Sequence, residues 1–310
     1  MRRCFAALAL LLAINVANAD HWRFILIGDT PYSDYERHVF PRMMDDINDE
    51  GADFVIHVGD IKYGNARCDN EIFLDRLGLF NASTAPFIFL PGDNDWTDCR
   101  RLSAGRFDEQ ERLAKLREIF FSSPHSLGKR RLPLERQSAD LPEHLRWRHG
   151  PLLFLTLNVP GPDNNYGLRQ EPSSEFVARN PAVLDWLKQG FALARKEKRA
   201  GIVIAMQANP GFKEYAQGVP IGGFRELLDT LRDETLNFPG QVLLLHGDTH
   251  WQRVDKPFHV PGSSKRIENF TRAESFGYPY LGWVKVTIDD KDPGLFSFET
   301  NDYPKRRPFH

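Results

Sequence analysis

Three short apolar runs early in the chain each stop at a Gly with an Asp directly after it: Gly28-Asp29, Gly59-Asp60 and Gly92-Asp93. A fourth pair, Gly247-Asp248, is followed by Thr249 and His250. Glycine lets the backbone turn sharply at a strand end, and in open α/β sheets ligands gather beyond the carboxyl ends of strands. Four such turns can bring several carboxylates to one edge. Carboxylates held close together repel one another, and a divalent cation between them removes that penalty. The alternative is that each Asp caps the helix after it. That suffices for one Gly-Asp pair; four pairs, with a His beside the last, point to a metal site.

The elements that must position these residues follow from the apolar pattern. Strand-length runs cover 22–27, 53–58, 86–90, 152–157, 202–206, 242–245, 282–288 and 295–299, and helical periodicity covers 35–48, 70–80, 106–121, 174–198 and 224–231, with Pro181 marking an early break. Residues 122–150, rich in Arg, Pro and His, read as an excursion over the surface. Strands alternate with helices first and the pattern becomes richer in strand later, which implies an α/β fold with two sheets.

Of the 310 residues, 41% are apolar and 26% charged, enough for a globular core, and the net charge of −2 lacks the basic excess that a nucleic-acid or anionic-membrane surface needs. Residues 1–19 have the layout of a signal peptide: Arg2 and Arg3, an apolar run, then Ala17-Asn18-Ala19 as a cleavage site. The apolar run is about 13 residues, short of the roughly 20 that span a bilayer, so no membrane span is expected in the mature chain. A mature domain over 20–310, periplasmic or secreted, is the expectation. It retains Cys68 and Cys99. In an oxidising compartment such a pair tends to join, and closing a loop of about 32 residues stabilises by roughly 3–4 kcal/mol. Two free thiols or a Cys metal site are the alternatives.

These residues carry a resemblance. Gly28-Asp29, Gly59-Asp60, Gly92-Asp93-Asn94-Asp95, the turn at Gln207 and Gly247-Asp248-Thr249-His250 look like the five ordered motifs of calcineurin-like metallophosphoesterases, over about residues 22–288. Those motifs usually read Asp-x-His, Gly-Asp, Gly-Asn-His-Asp/Glu, a lone His and Gly-His-x-His. Here Pro31, Asp93, Asn94, Gln207 and Asp248 stand where the family has His, Asn, His, His and His. The resemblance implies a four-layer sandwich, two mixed β-sheets face to face with helices outside. It also implies a dinuclear site that activates water against a small phosphate ester.

By the same resemblance one metal would take Asp29, Asp60 and His250. Tyr63 would add a fourth ligand, because Gly59-Asp60-Ile61-Lys62-Tyr63 is similar to the motif of purple acid phosphatases; the alternative is a packed aromatic. The other metal would take Asp60, Asp93, Gln207 and Asp248. That second set is all oxygen, which favours Mn or Mg, while imidazole at the His250 position suits Fe or Zn. The family's acid is replaced by Asn94, whose amide cannot transfer a proton, so Asp95, His246 and water are the substitute acids. Lys62, Arg67, Arg100 and Asn164 are candidate substrate contacts, and His57 reads as a core residue. The competing function is a binding protein on the same fold that does not hydrolyse. No Gly-x-Ser-x-Gly elbow of a serine hydrolase is present.

Overall fold

A computed structural model describes residues 21–167 and 171–304. The leader at 1–19 lies outside them. In chain order the elements are β1 (Trp22–Ile27), α1 (Asp34–Asp49), β2 (Phe54–His57), α2 (Asn70–Asn81), β3 (Phe87–Phe89), α3 (Glu109–Phe120), β4 (Glu135–Arg136), β5 (Leu145–His149) and β6 (Leu152–Thr156). They continue with α4 (Ser174–Lys196), β7 (Gly201–Ala205), α5 (Phe212–Ala216), α6 (Arg225–Leu236), β8 (Gln241–His246), β9 (Arg253–Asp255), β10 (Phe270–Glu274), β11 (Leu281–Ile288) and β12 (Phe296–Tyr303).

Two mixed sheets form. The first runs β12-β11-β1-β2-β3 and the second β4-β5-β6-β7-β8-β10-β9. β1, β2 and β3 are parallel, with Phe24 opposite Phe54 and Val55 opposite Phe87. β6, β7 and β8 are also parallel, with Phe154 opposite Val203 and Val203 opposite Leu243. The period of two along each strand assigns the faces. Phe154, Val203, Leu243 and Leu245 join the core shared with Phe24, Phe54 and Trp283 of the first sheet. Their neighbours Leu155, Ile202, Ile204 and Leu244 pack instead against Val183 and Leu187 of α4 and Leu227 and Leu231 of α6. Between the sheets Phe154 meets Phe24 and Phe54 edge to face at 5.5 and 5.2 Å. On the outer face of the first sheet, α1 starts at Ser33, whose hydroxyl accepts from the Glu36 N–H, and buries Val39, Phe40, Met43 and Ile47, one stripe at helical spacing.

Two expectations are corrected. Residues 122–150 are not only a surface excursion: β5 pairs antiparallel with β6 and sends Leu145 and Trp147 into the core. Pro181 does not break α4, which runs through it. One face of α4 buries Val183, Trp186, Leu187 and Phe191, and that packing outweighs the backbone bond a proline removes. Among the described residues no helix is long and apolar enough to cross a membrane.

Candidate metal centre

The acidic turns lie at the carboxyl ends of parallel strands, Asp29 after β1, Asp60 after β2, Asp93 after β3 and Asp248 after β8, with Gln207 after β7. The two sheets thus present their C-terminal edges to one place. Asp29, Asp60, Asp248 and His250 all have left-handed backbone, with φ of 51°, 61°, 80° and 59°. Non-glycine residues hold this conformation at a cost of order 1–3 kcal/mol each, and such residues concentrate at functional sites. The approach needs glycine at two positions. A Cβ on Gly92 would collide with the Asp60 carboxylate, and one on Gly161 would stand 2.9 Å from Asp248 Oδ1 and 3.2 Å from Asp93 Oδ1.

Hydrogen bonds tie the turns together. Asp60 Oδ1 accepts from the Asn94 backbone N–H at 3.0 Å, and Asp60 Oδ2 accepts from the Tyr32 hydroxyl at 3.1 Å and from Gln207 Nε2 at 3.2 Å. The same Gln207 nitrogen donates to Asp93 Oδ1 at 2.8 Å, while Gln207 Oε1 accepts from the Gly161 N–H at 2.6 Å. Asp29 accepts from the Asp248 N–H at 3.1 Å and the Ser275 hydroxyl at 3.2 Å. His250 Nδ1 donates to the Tyr278 carbonyl at 2.6 Å, which aims Nε2 at Asp29 Oδ1, 3.5 Å away.

These carboxylates are buried and repel one another. Burial raises the pKa of Asp60 well above the usual range, and the charges of Asp93, Asp95, Asp29 and Asp248 raise it further. Burial and then Asp248 do the same to Asp93. Asp248 is pushed up to about 7, by burial first and then by Asp29 and Glu274. Burial opposes protonation of His250, but the hydrogen bond and charge of Asp29 outweigh it and hold the imidazole above its ordinary value.

Several candidates stand elsewhere or differently than expected. Asp95 is no free acid: its carboxylate accepts from the N–H groups of Asp60, Ile61 and Gly92 at 2.9, 2.8 and 2.8 Å, binding the second acidic turn to the third. His246 is fully buried, with Nδ1 donating to the Gly247 carbonyl and Nε2 3.9 Å from Glu274. Burial lowers its pKa to about 3, so the ring stays neutral and its one N–H is committed to the Gly247 carbonyl. Tyr63 is 49% exposed and touches the ring of Tyr32 rather than a carboxylate. Lys62 is buried and donates to the carbonyls of Ala66 and Tyr63. Arg67 pairs with Asp69 at 2.7 Å, and Arg100 with Glu109 at 2.9 Å. Asn164 is buried between Arg179 and the Gly223 carbonyl. None of these four basic or amide groups hydrogen-bonds to the carboxylates of the acidic turns, although Lys62 lies close enough to feel the charges of Asp95 and Asp60. Asn94 bonds to Asp60 through its backbone N–H, and its Nδ2 donates to the Tyr32 hydroxyl at 2.8 Å. Cys68 and Cys99 are joined and hold together the loops after β2 and β3. His57 is a core residue, bonded to the Thr30 carbonyl and the Gly59 N–H.

Tyr32 is the residue that sequence reasoning missed. Its signal was present: Gly28-Asp29-Thr30-Pro31-Tyr32 repeats the Gly-Asp-x-x-Tyr spacing of Gly59 to Tyr63. Burial, then Asp60, raises the Tyr32 pKa well above normal, so the phenol keeps its proton and donates it.

The donors differ in how they fit metal ions. At the His250 end they fit one. The carbonyl of Tyr278 fixes the imidazole tautomer and leaves Nε2 facing Asp29, the arrangement that orients a ligating His, and the crowded carboxylates need a counter-charge. At the Gln207 end they do not, because the amide turns its NH2 group, not its oxygen, toward Asp60 and Asp93. Among the described residues no group of three or more His, Cys, Asp or Glu side chains is arranged to hold a metal ion, so at the His250 end the donor types suit an ion while their present arrangement does not close around one.

The fold is similar to that of known proteins at low identity. It matches GAP50, the anchor in the inner membrane complex of Plasmodium, with a TM-score of 0.55 and 11% identity, over 94% of this chain and 87% of that one. It matches a dimetal phosphatase from Danio rerio with a TM-score of 0.52 and 12% identity, over 91% and 99%. It matches a purple acid phosphatase from yellow lupin seeds with a TM-score of 0.50 and 13% identity, over 91% and 54%. No curated protein matches the sequence. The family model for calcineurin-like phosphoesterases matches residues 23–254, a span that takes in the four acidic turns and the Gln207 turn, and the chain therefore belongs to the calcineurin-like phosphoesterase family.

Proposed function

We propose that this protein is a divalent-cation-dependent phosphoric ester hydrolase, exported to the periplasm or beyond. One observation carries the reading: Asp29, Asp60, Asp93 and Asp248, from turns of two different sheets, are buried together, and burial with the neighbouring charges raises the pKa of Asp60, Asp93 and Asp248. The cation would be held by Asp29, Asp60 and His250, with Mn or Mg suited to the carboxylates and Fe or Zn to the imidazole. The disulfide between Cys68 and Cys99 supports an oxidising location.

The chemistry a divalent cation supplies when bound is Lewis-acid activation of water and neutralisation of phosphate charge. The rest falls to the chain. Asn94 carries two N–H donors. One goes to Tyr32, and the other suits a phosphate oxygen. Tyr32 donates to Asp60 and holds that carboxylate in place. Water oxygen bonds to phosphorus and releases a proton to solvent, the ester P–O bond breaks, and the leaving oxygen must gain a proton. Asp95 is committed to three backbone N–H groups, His246 is buried and neutral, and Asn94 has no proton to transfer, so solvent supplies it. Esters whose leaving oxygen is already a weak base are therefore favoured.

The test is hydrolysis of a generic aryl phosphate and an aryl phosphodiester by the purified mature protein after reloading with Mn2+ or Mg2+. Slow metal-dependent cleavage that Asp60→Ala abolishes is expected; activity that survives in Asp60→Ala overturns the assignment. A second reading, a non-hydrolysing binding protein, is favoured by the Gln207 amide between Asp60 and Asp93. It predicts cation binding with no turnover of either ester.

A further inference from the structure

We propose that the side-chain amide of Gln207 takes the place of a second cation, so that this chain binds a single divalent ion at the Asp29–Asp60–His250 end. The inference rests on the reading above that the site binds a cation at all.

Three bonds determine the orientation of Gln207. Its nitrogen donates to Asp60 Oδ2 and Asp93 Oδ1 at 3.2 and 2.8 Å, and its oxygen accepts from the Gly161 N–H at 2.6 Å. An amide binds a metal through oxygen, since its nitrogen is only a donor. Turning the group over would set NH2 against the Gly161 N–H and oxygen against two carboxylates, replacing three good contacts by three bad ones. The usual ambiguity of an amide's two ends is thereby resolved. The side chain is fully buried, and its backbone is anchored: the Gln207 carbonyl accepts from the Gly247 N–H at 3.0 Å, and the Ala208 N–H donates to the Val159 carbonyl at 3.0 Å.

The place this nitrogen occupies is the one a cation shared by Asp60 and Asp93 would need. Its two protons meet one oxygen from each carboxylate and supply partial positive charge there. Asp248 spans the two ends, its carboxylate Oδ1 lying beside Gly161 on the same side as Asp93 Oδ1. Its N–H donates to Asp29, and its Oδ2 accepts from the Asn209 N–H at 2.9 Å. With the Gln207 amide nitrogen between Asp60 and Asp93, the position that an ion shared by those two carboxylates would take is already filled.

Titration of the chelator-stripped full chain with Mn2+, followed by calorimetry and by electron paramagnetic resonance, tests this without any activity measurement. One equivalent per chain with the spectrum of an isolated ion is expected. Gln207→His and the near-isosteric Gln207→Glu should each take up two equivalents, with the signal broadened by coupling between neighbouring ions. Two equivalents in the unaltered chain overturn the inference and leave the cation-dependent reading standing; no uptake overturns both. A single equivalent in both variants, each shown folded by circular dichroism, overturns the role given to Gln207.

Discussion

Tyr32 and Asn94 form a short relay onto Asp60, amide to phenol to carboxylate, at 2.8 and 3.1 Å. A hydrogen bond to a charged group contributes about 1.5–3 kcal/mol. Tyr32→Phe should therefore lower kcat about 10- to 100-fold while leaving the fold intact, measured on an aryl phosphate beside a thermal melt. With no side chain placed to protonate the leaving oxygen, the rate should depend steeply on leaving-group pKa. A series of aryl and alkyl esters should give a far larger kcat/KM for the aryl members, and a flat series would show that an acid is present. Asp248 makes a different point. Buried beside Asp29 and pushed up to about 7, it destabilises the cation-free chain at neutral pH. Asp248→Asn removes that repulsion and should raise the cation-free melting temperature at pH 8, even as it weakens cation binding.

At the scale of elements, the site depends on loops that the strands deliver but do not hold. Asp95 gathers three backbone N–H groups from the turns after β2 and β3. The bond between Cys68 and Cys99 closes the same two loops over a separation of 31 residues. Arg112 of α3 braces them, donating to the Cys68 carbonyl at 2.9 Å and to Asn70 at 2.8 Å. Loss of the disulfide in Cys68→Ser/Cys99→Ser should cost about 3 kcal/mol in urea unfolding. It should also weaken cation affinity, since the Asp60 turn is part of the freed loop. Unchanged affinity would show that Asp95 suffices as the clamp.

For the whole molecule, two sets of buried groups oppose each other as pH changes. Asp60, Asp93, Asp95 (about 6) and Asp248 (about 7) have raised folded-state values, burial being the first cause in each. For them the folded chain binds more protons than the unfolded one, so their stabilising contribution is present below about pH 4 and is lost as pH rises through the folded values. His57, His144 and His246 are lowered by burial to about 4, 4 and 3. Their contribution is present above about pH 6.5 and is lost as pH falls through the folded values. A bound cation keeps the carboxylates ionised and removes the first slope only. The gain in melting temperature on adding Mn2+ should accordingly grow between about pH 5 and about pH 8. A gain independent of pH would show that the carboxylates do not take up the ion.

The acidic turns were legible because glycine followed by aspartate at the end of an apolar run is a local pattern, and the strands and helices that carry them were legible from periodicity alone. β5 was not, since Arg146 and Arg148 alternate with buried Leu145 and Trp147 and a run so rich in charge reads as surface. Motif order was enough for the family, because the fold brings strand ends together in a set order. What each side chain does at the centre was decided only in three dimensions. Gln207 has an oxygen and a nitrogen to offer, and the Gly161 N–H, 46 residues away, determines which one meets the carboxylates. Tyr32 and Tyr63 stand at the same spacing from their aspartates, yet only Tyr32 lies against Asp60. Composition and spacing specify which donors are available; burial and the partners across the sheet edge determine where each one points.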